Sequence, residues 1–370
     1  MPTPTQSKAV RISSTALTTF IHNVLTNLDV PPEPAATVAE VMVAANLRGV
    51  DSHGVALLNW YANILRDGSI ARHVSPIIEA EGPGFAMVDG HNGLGAPVGV
   101  MAMNKCLDLA ASNGVACITV RNSNHFGMAG YYAMRALPRD MIGLAMTNAS
   151  RLIAPTFGVE PMLGTNPIAV AVPAGNERPY VLDMATSARP FGKVVMAQAR
   201  GEQLPEGVAI DQEGQPVRDP EQFIQGVRQD FSTALLPLGS LAELASYKGY
   251  GLAMFVDILT GVLSGANFSK HVGADPPDPA NVGHWFMAIK VEAFMPVAAL
   301  KARMDSLIKE LKESRKAPGQ QRIYIPGEIE FETEAERLEH GIPIDQAILN
   351  QLRSLADQTG TAFNLDASDH

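Results

Sequence analysis

The stretch that decides the fold class is FAMVDGHNGLGAPVGVMAMNKCLDLAASNGVACITV, residues 85–120. FAMVDG predicts a strand that ends in a turn, residues 97–113 carry apolar side chains at helical spacing, and VACITV predicts a second strand. Farther along, IGLAMTN (142–148), PIAVAVP (167–173) and YVLDMA (180–185) each predict a strand, and GYYAMRAL (130–137) predicts a helix. Because strands and helices alternate over short connections, we expect an α/β fold with a mixed, partly parallel sheet and flanking helices.

The flanks of this region are more helical. Apolar spacing predicts helices over 14–28, over 33–48, and from the break at 49–53 to about Arg66, so the N-terminal segment is helical. Residues 203–230 are polar and rich in Pro and Gly, which indicates a surface excursion with a hairpin or loop. The remaining predictions are a buried helix over 251–266, a strand over 284–294, a helix over 297–316, a strand and turn in RIYIPGE (322–328), and a helical tail over 333–358.

Composition excludes several classes of function. The 370 residues carry 28 Lys and Arg against 38 Asp and Glu, a formal net charge of −10, without a dense basic run. Nucleic acid is not expected as a partner, because binding to a phosphate backbone needs a basic face. Two cysteines, Cys106 and Cys117, do not make a disulfide scaffold and favour a reduced, cytoplasmic setting. No membrane role is expected either: residues 1–17 lack the apolar core of a signal peptide, and 251–266 is too short to span a bilayer.

The glycine-rich segment 90–99 lies between a predicted strand and a predicted helix, as in dinucleotide-binding folds. Its spacing does not match that fingerprint, since Pro97 falls among the turn positions and the next strand ends at 121–123 without an acid for a ribose. A standard Rossmann site is therefore not expected. The phosphate loop, H-E-x-x-H, paired C-x-x-C and G-x-S-x-G motifs are absent from the sequence, and its nine scattered histidines do not suggest a metal site.

Ser52 and His53 lie at a break between two predicted helices, in RGVDSHG (48–54). An imidazole titrates near neutrality, so His53 can exchange a proton with a substrate, and Ser52 can hydrogen-bond either of them. The alternative is a helix cap, because Asp and Ser are preferred at that position.

Polar groups also stand where predicted strands end and helices begin. Residues 122–130 follow VACITV and either offer a helix N-terminus to an anionic ligand or form an ordinary turn. Asp183 ends YVLDMA, where a carboxylate can hold ribose hydroxyls or cap a turn, and GTNP (164–167) ends another apolar stretch. Lys248 stands beside glycines at the start of the apolar helix, a position suited to a phosphate or carboxylate.

Eight motifs occur in order within residues 12–345: RGVDSHG, NSNHFG, LGTNP, DMATS, GK, KGYGLA, DILTGVLSGA and PGE. Together they resemble the malate/L-lactate dehydrogenase family of the second type, which includes ureidoglycolate and L-sulfolactate dehydrogenases, 2,3-diketo-L-gulonate reductase and piperideine-2-carboxylate reductases. The resemblance implies a non-Rossmann, L-sulfolactate dehydrogenase-like fold, an oxidoreductase that uses NAD or NADP, and a homodimer with active sites near the subunit interface. With it we expect a cofactor-binding α/β domain over 79–284, and a helical substrate and dimerisation region formed by 1–78 with 285–370.

The resemblance also implies site residues. His53, assisted by Ser52, matches the proton donor or acceptor; in the ureidoglycolate enzyme the histidine matching His125 has that role, and we favour His53. The implied cofactor contacts are His125, Phe126, Gly127, Met128, Ala129, Asp183, Met184, Ala185, Lys248, Gly249, Pro326, Gly327 and Glu328. The candidate substrate residues are Arg151, Thr165, Asn166 and Lys193, and no metal is expected.

Leu57 departs from the family pattern. Many relatives have an arginine four residues after the histidine of S-H-G, where it binds the substrate carboxylate, and leucine cannot replace such a bidentate pair. Either Arg151 or Lys193 takes that part, or the substrate differs. The expected reaction is hydride transfer between a nicotinamide and C2 of a 2-oxo or 2-hydroxy acid. Reduction of a cyclic imine-2-carboxylate, and a non-catalytic nucleotide-binding role, are the alternatives.

Overall fold

The computed structural model describes residues 9–273 and 279–365. The strands are β1 (Val10–Ile12), β2 (Ile77–Gly82), β3 (Phe85–Asp89), β4 (Val115–Ser123), β5 (Met141–Thr147), β6 (Ile168–Val172), β7 (Tyr180–Met184), β8 (Ala209–Asp211), β9 (Thr233–Leu235), β10 (Val282–Lys290) and β11 (Ile342–Ile344). The helices are α1 (Ser14–Asn27), α2 (Pro32–Leu47), α3 (Leu58–Arg66), α4 (Gly95–Asn113), α5 (Ala129–Met134), α6 (Phe191–Arg200), α7 (Pro220–Gln229), α8 (Tyr247–Asp257), α9 (Val297–Glu313), α10 (Glu328–His340) and α11 (Gln346–Thr359).

Seven strands form the main sheet, in the order β2-β3-β4-β10-β5-β6-β7. Only β3 and β4 pair in parallel, and the other five neighbouring pairs are antiparallel. Because β10 runs against both β4 and β5, and β6 runs against both β5 and β7, the strands β3, β4, β5 and β7 all point the same way. The loops that follow these four strands therefore meet along one edge of the sheet, the edge at which His125 and Asp183 lie.

The predicted α/β fold with a mixed sheet and flanking helices is confirmed, and so is the helical N-terminal segment. The Oγ of Ser13 accepts a hydrogen bond from Ala16 N at 3.2 Å and so caps α1, whose side chains at i, i+3, i+4 and i+7 are buried. The short strands β1 and β11 pair antiparallel, which ties the start of the chain to its C-terminal part. The helices α1, α2, α3 and α11 share one buried apolar cluster with the sheet.

Several sequence predictions need correction. The apolar helix predicted as buried over 251–266 is α8 with one further π-helical turn, Ile258–Val262, and much of its apolar surface is exposed. RIYIPGE forms no strand; 321–325 is irregular and leads into α10. The predicted tail over 333–358 is divided into α10 and α11 by β11. The excursion over 203–230 contains helix α7 as well as strand β8.

The boundary expected between residues 284 and 285 falls inside β10, the central strand of the sheet. A second, smaller apolar cluster is formed by α6, α7 and the segments around β8 and β9. The functional division of the chain into 79–284 and the two flanking parts stays a prediction. Residues 1–8, about half of the segment expected to lack a secretion signal, lie outside the described residues.

Candidate active site

The loop after β4 carries His125 and is held in place by its neighbours. The amide Nδ2 of Asn124 donates to the backbone oxygen of Gly93 at 2.9 Å and to the side chain of Asn92 at 3.0 Å. A Cβ added to Gly95, at the start of α4, would lie only 2.1 Å from the backbone oxygen of Asn124. The glycine-rich segment thus lets α4 approach the His125 loop closely, which gives its glycines a packing role.

Ser52 and His53 lie on a 3₁₀ turn, Asp51–His53, between α2 and α3. The Ser52 Oγ is 2.9 Å from His53 Nδ1, and among the described residues the serine hydroxyl has no second partner. His53 is half-buried, and burial lowers the pKa of its imidazole. A neutral imidazole therefore stands at the surface of the site at neutral pH, with its other ring nitrogen, Nε2, left for a ligand.

A network of polar side chains holds the turn that carries His53. Arg337 of α10 reaches Asp51 with two hydrogen bonds, of 2.7 and 3.0 Å, and Asn46 Nδ2 donates to the same carboxylate at 2.7 Å. The Asn46 Oδ1 also accepts from Val55 N at 2.8 Å, so it holds the chain on the far side of the turn. A bidentate arginine pair is a directional contact and so fixes the position of the turn. The earlier helix-cap alternative does not describe Ser52, whose hydroxyl bonds the His53 ring.

The fold brings His53 and His125 together. Their rings are stacked with centroids 5.6 Å apart and planes 21° from parallel. Tyr61 and Trp60 of α3 complete the group, with the Trp60 ring edge-on to His125 at 5.7 Å and 44% of its surface exposed. Burial, reinforced by the nearby His53 and His284, lowers the pKa of His125 to about 3, so this imidazole is neutral at physiological pH.

His284 is a member of this group that the sequence did not single out. It is the third residue of β10 and pairs with Val120 of β4 and Thr147 of β5; it is fully buried, and its ring stacks on Phe126 with the centroids 4.5 Å apart. Its Nδ1 is 2.8 Å from Thr147 Oγ1 and its Nε2 is 2.8 Å from Ser123 Oγ. Burial lowers its pKa to about 3. Nothing in a single sequence distinguishes such an interior histidine from the others.

Asp183, the fourth residue of β7, is exposed at the end of that strand. Its Oδ2 accepts the backbone N–H of Gly130 at 2.7 Å, at the start of α5, and the carboxylate has no other hydrogen-bond donor within the described ranges. The residue is open to solvent yet densely surrounded by protein, and this desolvation raises its pKa to about 6 against the opposing effects of Gly130 and Arg48. An accessible carboxylate in such a position is suited to accept hydrogen bonds from hydroxyl groups.

The other predicted cofactor segments are linked to β7 by backbone hydrogen bonds. Val181 N donates to Pro326 O at 3.0 Å, so 326–328 covers the free edge of β7. On the other side, Leu238 N donates to Thr186 O at 2.8 Å and Gly249 N donates to Leu238 O at 3.1 Å. The segment 326–328 is thus linked to β7 directly, 248–249 is linked to Thr186 through Leu238, and 125–129 directly precedes Gly130, which bonds Asp183.

Not every predicted side chain in these segments is available. Glu328 is buried and paired with Lys312 and Arg322, and its Oε2 accepts Ile325 N at 3.0 Å, so its carboxylate anchors the start of α10. Gly327 has φ +94°, and a Cβ there would lie within 2.9 Å of Val181, so only glycine fits this approach to β7. Lys248 is exposed at the start of α8.

The four candidate substrate residues are placed differently from one another. Asn166 is fully buried, with Oδ1 accepting Ala149 N at 3.2 Å and Nδ2 donating to Ala253 O at 3.0 Å, so its amide holds backbone segments together. Thr165 is half-buried beside it. The Arg151 guanidinium stacks on Phe231 at 3.6 Å, and no contact of Arg151 with the histidine pair is found among the described residues.

Lys193 lies nearer to His53. It is exposed on the first turn of α6, and a Cβ added to its neighbour Gly192 would lie 2.6 Å from Ser52 Cβ. The N-terminus of α6 therefore abuts the Ser52–His53 turn. Leu57 is half-buried and packs against the main apolar cluster, so it offers no polar atom to a carboxylate.

No group of three or more metal-ligating side chains with suitable geometry is found within 9–273 and 279–365. Over the same residues, none of the helices has the length and apolar character needed to cross a membrane.

Comparison with known proteins identifies the family. The family model for malate/L-lactate dehydrogenase matches residues 12–353. The chain is 45% identical to a malate dehydrogenase of Pyrococcus abyssi over 95% of each chain, and 38% identical to the L-sulfolactate dehydrogenase of Methanocaldococcus jannaschii over 92% of this chain and 95% of the relative. The crystal structure of malate dehydrogenase from Entamoeba histolytica superposes with a TM-score of 0.93 and 33% identity, covering 96% of this chain and all of the other. The chain that brings these two histidines and this aspartate to one edge of its sheet is thus an oxidoreductase that belongs to the malate/L-lactate dehydrogenase family.

Proposed function

We propose that this protein interconverts a 2-hydroxy acid and the corresponding 2-oxo acid, with NAD or NADP as the cofactor. The observation that carries the proposal is the Ser52–His53 pair, with the His53 ring stacked on His125, and the exposed Asp183 carboxylate bonded to Gly130 on the same loop. A proton-exchanging imidazole beside a place for a ribose is what a hydroxy acid dehydrogenase needs. The names of the relatives, malate and sulfolactate dehydrogenases, point to the same class of substrate.

The residues around the end of β7 fit a nicotinamide cofactor. Dehydrogenases of this family use such cofactors, and when bound the group supplies the hydride acceptor or donor. One oxygen of the Asp183 carboxylate accepts the Gly130 N–H, and its remaining lone pairs can accept hydrogen bonds from ribose hydroxyls. The exposed Lys248 offers a cation for a phosphate. A standard glycine-rich phosphate turn is not required, because the segment at 93–95 is occupied by packing against the His125 loop.

His53 moves the proton of the reaction. In the oxidative direction its Nε2 takes the proton from the substrate hydroxyl as C2 loses its hydrogen, and in the reductive direction it returns a proton to the new C2 oxygen. The Ser52 hydroxyl can either donate to or accept from Nδ1, because among the described residues it has no other partner. Ser52 can therefore follow His53 through both protonation states.

The substrate carboxylate is assigned to Lys193 and the amide groups at the start of α6. The contact of Gly192 with Ser52 places this helix end beside His53, and a helix N-terminus favours an anion. Arg151 is the less favoured cation, since its guanidinium is stacked on Phe231. Leu57 stands in place of the family arginine and adds apolar surface near the site. Larger or cyclic substrates, including cyclic imine-2-carboxylates, are therefore the second candidate class of substrate.

A second copy of the chain is proposed to cover α8. Large apolar side chains on α8 and its π-helical turn are exposed, with Val262 at 58% and Leu263 at 57%; the others are Leu252, Met254, Phe255 and Ile258. Asp257 is the only charged residue between 249 and 268, and its carboxylate is turned to Ser269 N and Asn148. A homodimer would bury this face.

We also propose a cytoplasmic location, in keeping with two free cysteines.

A panel of 2-oxo acids and cyclic imines, with NADH and NADPH each followed by absorbance, tests the proposed reaction. We expect turnover with a 2-oxo acid, and His53→Ala should lower kcat by roughly 10²-fold, the usual scale for a positioned proton donor. Cofactor affinity should change little. His22→Ala on α1, distant in the chain from the site, is the matched control. If the His53→Ala variant turns over within a few-fold of the wild type, the proton-transfer role belongs to His125. If the wild type turns over none of the substrates, the non-catalytic alternative is favoured.

A further inference from the structure

Tyr61 of α3 makes two contacts with the same histidine. Its hydroxyl oxygen is 2.9 Å from His125 Nδ1 and also 2.9 Å from the backbone oxygen of His125. Tyr61 is 2% exposed, and burial raises the pKa of its phenol well above its usual range, so the hydroxyl keeps its proton at any physiological pH. One fixed hydroxyl thus faces two polar atoms of one residue.

Only one arrangement of protons satisfies both contacts. A carbonyl oxygen can only accept, so the single Tyr61 proton is donated to the His125 carbonyl. The phenol oxygen then has lone pairs alone to offer to Nδ1, and a hydrogen bond forms there only if Nδ1 carries a proton. With the opposite tautomer, the Tyr61 proton would go to Nδ1 and two oxygens would face each other at 2.9 Å with no proton between them.

We propose that Tyr61 is a positioning residue that holds His125 as the Nδ1–H tautomer, so that His125 Nε2 presents a lone pair to the bound ligand. The identity of this ligand rests on the proposed function. The available hydrogen-bond donors are the hydroxyl group of the 2-hydroxy acid and the carboxamide N–H groups of the nicotinamide cofactor. The inference assigns His125 an accepting role and excludes it as a donor to the carbonyl oxygen of a 2-oxo acid.

The two stacked histidines consequently have different duties. The Ser52 hydroxyl has one partner among the described residues and can reverse its hydrogen bond, whereas the Tyr61 hydroxyl is committed to a carbonyl and cannot. The ionisable groups that face His125 are His53, His284 and Tyr61; the two imidazoles disfavour a second proton on its ring, and burial lowers its pKa further. A histidine that stays neutral with one fixed tautomer orients a ligand, and the one with a reversible partner transfers the proton.

The tautomer can be observed directly in the intact protein. With ¹⁵N-labelled histidine, the long-range proton–nitrogen correlations of a neutral imidazole distinguish Nδ1–H from Nε2–H, and the spectrum of His125→Gln identifies the signals of His125. At pH 7.5 we expect Nδ1–H in the wild type. In Tyr61→Phe, which removes the only acceptor found for that proton among the described residues, we expect a substantial Nε2–H population.

Tyr132→Phe is the matched control, because it removes a buried hydroxyl that donates to the backbone oxygen of the next residue, Phe126, without touching an imidazole. Its spectrum should keep the Nδ1–H pattern at His125. In kinetics, Tyr61→Phe should lower kcat about tenfold, the effect of one lost hydrogen bond, with KM for the 2-oxo acid changed less than threefold.

An Nε2–H pattern in the wild type, or an unchanged Nδ1–H pattern in Tyr61→Phe, would overturn the inference. The wild-type spectrum gives this answer even if the variant does not fold. Absence of turnover on every 2-oxo acid would count against the proposed function and would leave the tautomer result as it stands, so the two failures are distinguishable.

Discussion

Replacing the buried His284 should make the stability of the protein less sensitive to acid. His284 is fully buried, with Nδ1 bonded to Thr147 and Nε2 bonded to Ser123. The Thr147 hydroxyl lies 3.0 and 3.1 Å from two backbone carbonyl oxygens, so its proton is used there and it accepts from Nδ1–H, while Ser123 donates to Nε2. Burial lowers the pKa of His284 to about 3, because the interior cannot solvate the charged imidazolium as water does.

The magnitude follows from linkage. The pKa is about 3 in the folded state and about 6.5 in the unfolded chain, so between these values the unfolded state binds more protons. The contribution of His284 is therefore fully present above pH 6.5 and is lost as the pH falls below that value. Between pH 7.5 and pH 5.0 the loss is about 2 kcal/mol, because 1.5 pH units below the unfolded pKa cost about 1.4 kcal/mol each.

Urea unfolding of the wild type and of His284→Asn, at one protein concentration, measures this term. The variant should be less stable at pH 7.5, and its deficit should shrink by about 2 kcal/mol at pH 5.0, since the variant has no imidazole to protonate. Phe286→Leu, a nearby buried change without a titratable group, should show the same deficit at both pH values. An equal deficit of His284→Asn at both pH values would refute the reasoning.

Three more outcomes follow from the site and its surroundings. Lys193→Ala should raise KM for small 2-oxo acids roughly tenfold, as expected for a lost charged contact, and Arg151→Ala should raise it less; the reverse order would move the carboxylate site. Val262→Asp should convert a dimer to monomers in sedimentation equilibrium, because a charge would enter the apolar face of α8, whereas Leu311→Asp on α9 should not; a dimer that survives Val262→Asp would exclude that face. Arg337→Met should cost about 1.5–3 kcal/mol of unfolding free energy and lower kcat more than it raises KM, since it releases the turn under His53; unchanged kcat would show that the turn is held without it.

Much of the architecture could be predicted from local patterns. The strands at 85–89, 115–123, 141–147, 168–172 and 180–184 and the helix at 95–113 appear as apolar runs and helical spacing, because each buries one face against the same core. The order of the strands could not be predicted. The pairing of β10 between β4 and β5 joins segments that are about 140 to 170 residues apart, and only long-range packing selects those partners.

The exposure of α8 shows the limit of hydropathy. Its sequence is apolar on all sides, which predicts burial, and the folded chain leaves much of that surface open. Hydropathy indicates that an apolar helix face favours burial. It does not indicate whether the burying surface belongs to the same chain or to another chain. The 322–325 stretch shows a related limit: its β-branched and aromatic residues favour a strand, but whether a strand forms depends on pairing and packing in the folded chain, and here the segment is irregular.

At the site, motif order already named His53, His125 and Asp183, since loops at strand ends and helix starts carry such residues in a recognisable sequence. It named neither Tyr61, Arg337 nor His284. These side chains act through partners 64 to 286 residues away, and a hydrogen bond between distant segments leaves no periodicity or spacing in the sequence. The local motifs of the sequence thus indicate which kinds of chemistry are available to this protein. The protonation and orientation of each imidazole depend on the hydroxyl, carbonyl or guanidinium group that the folded chain places beside it from a distant segment.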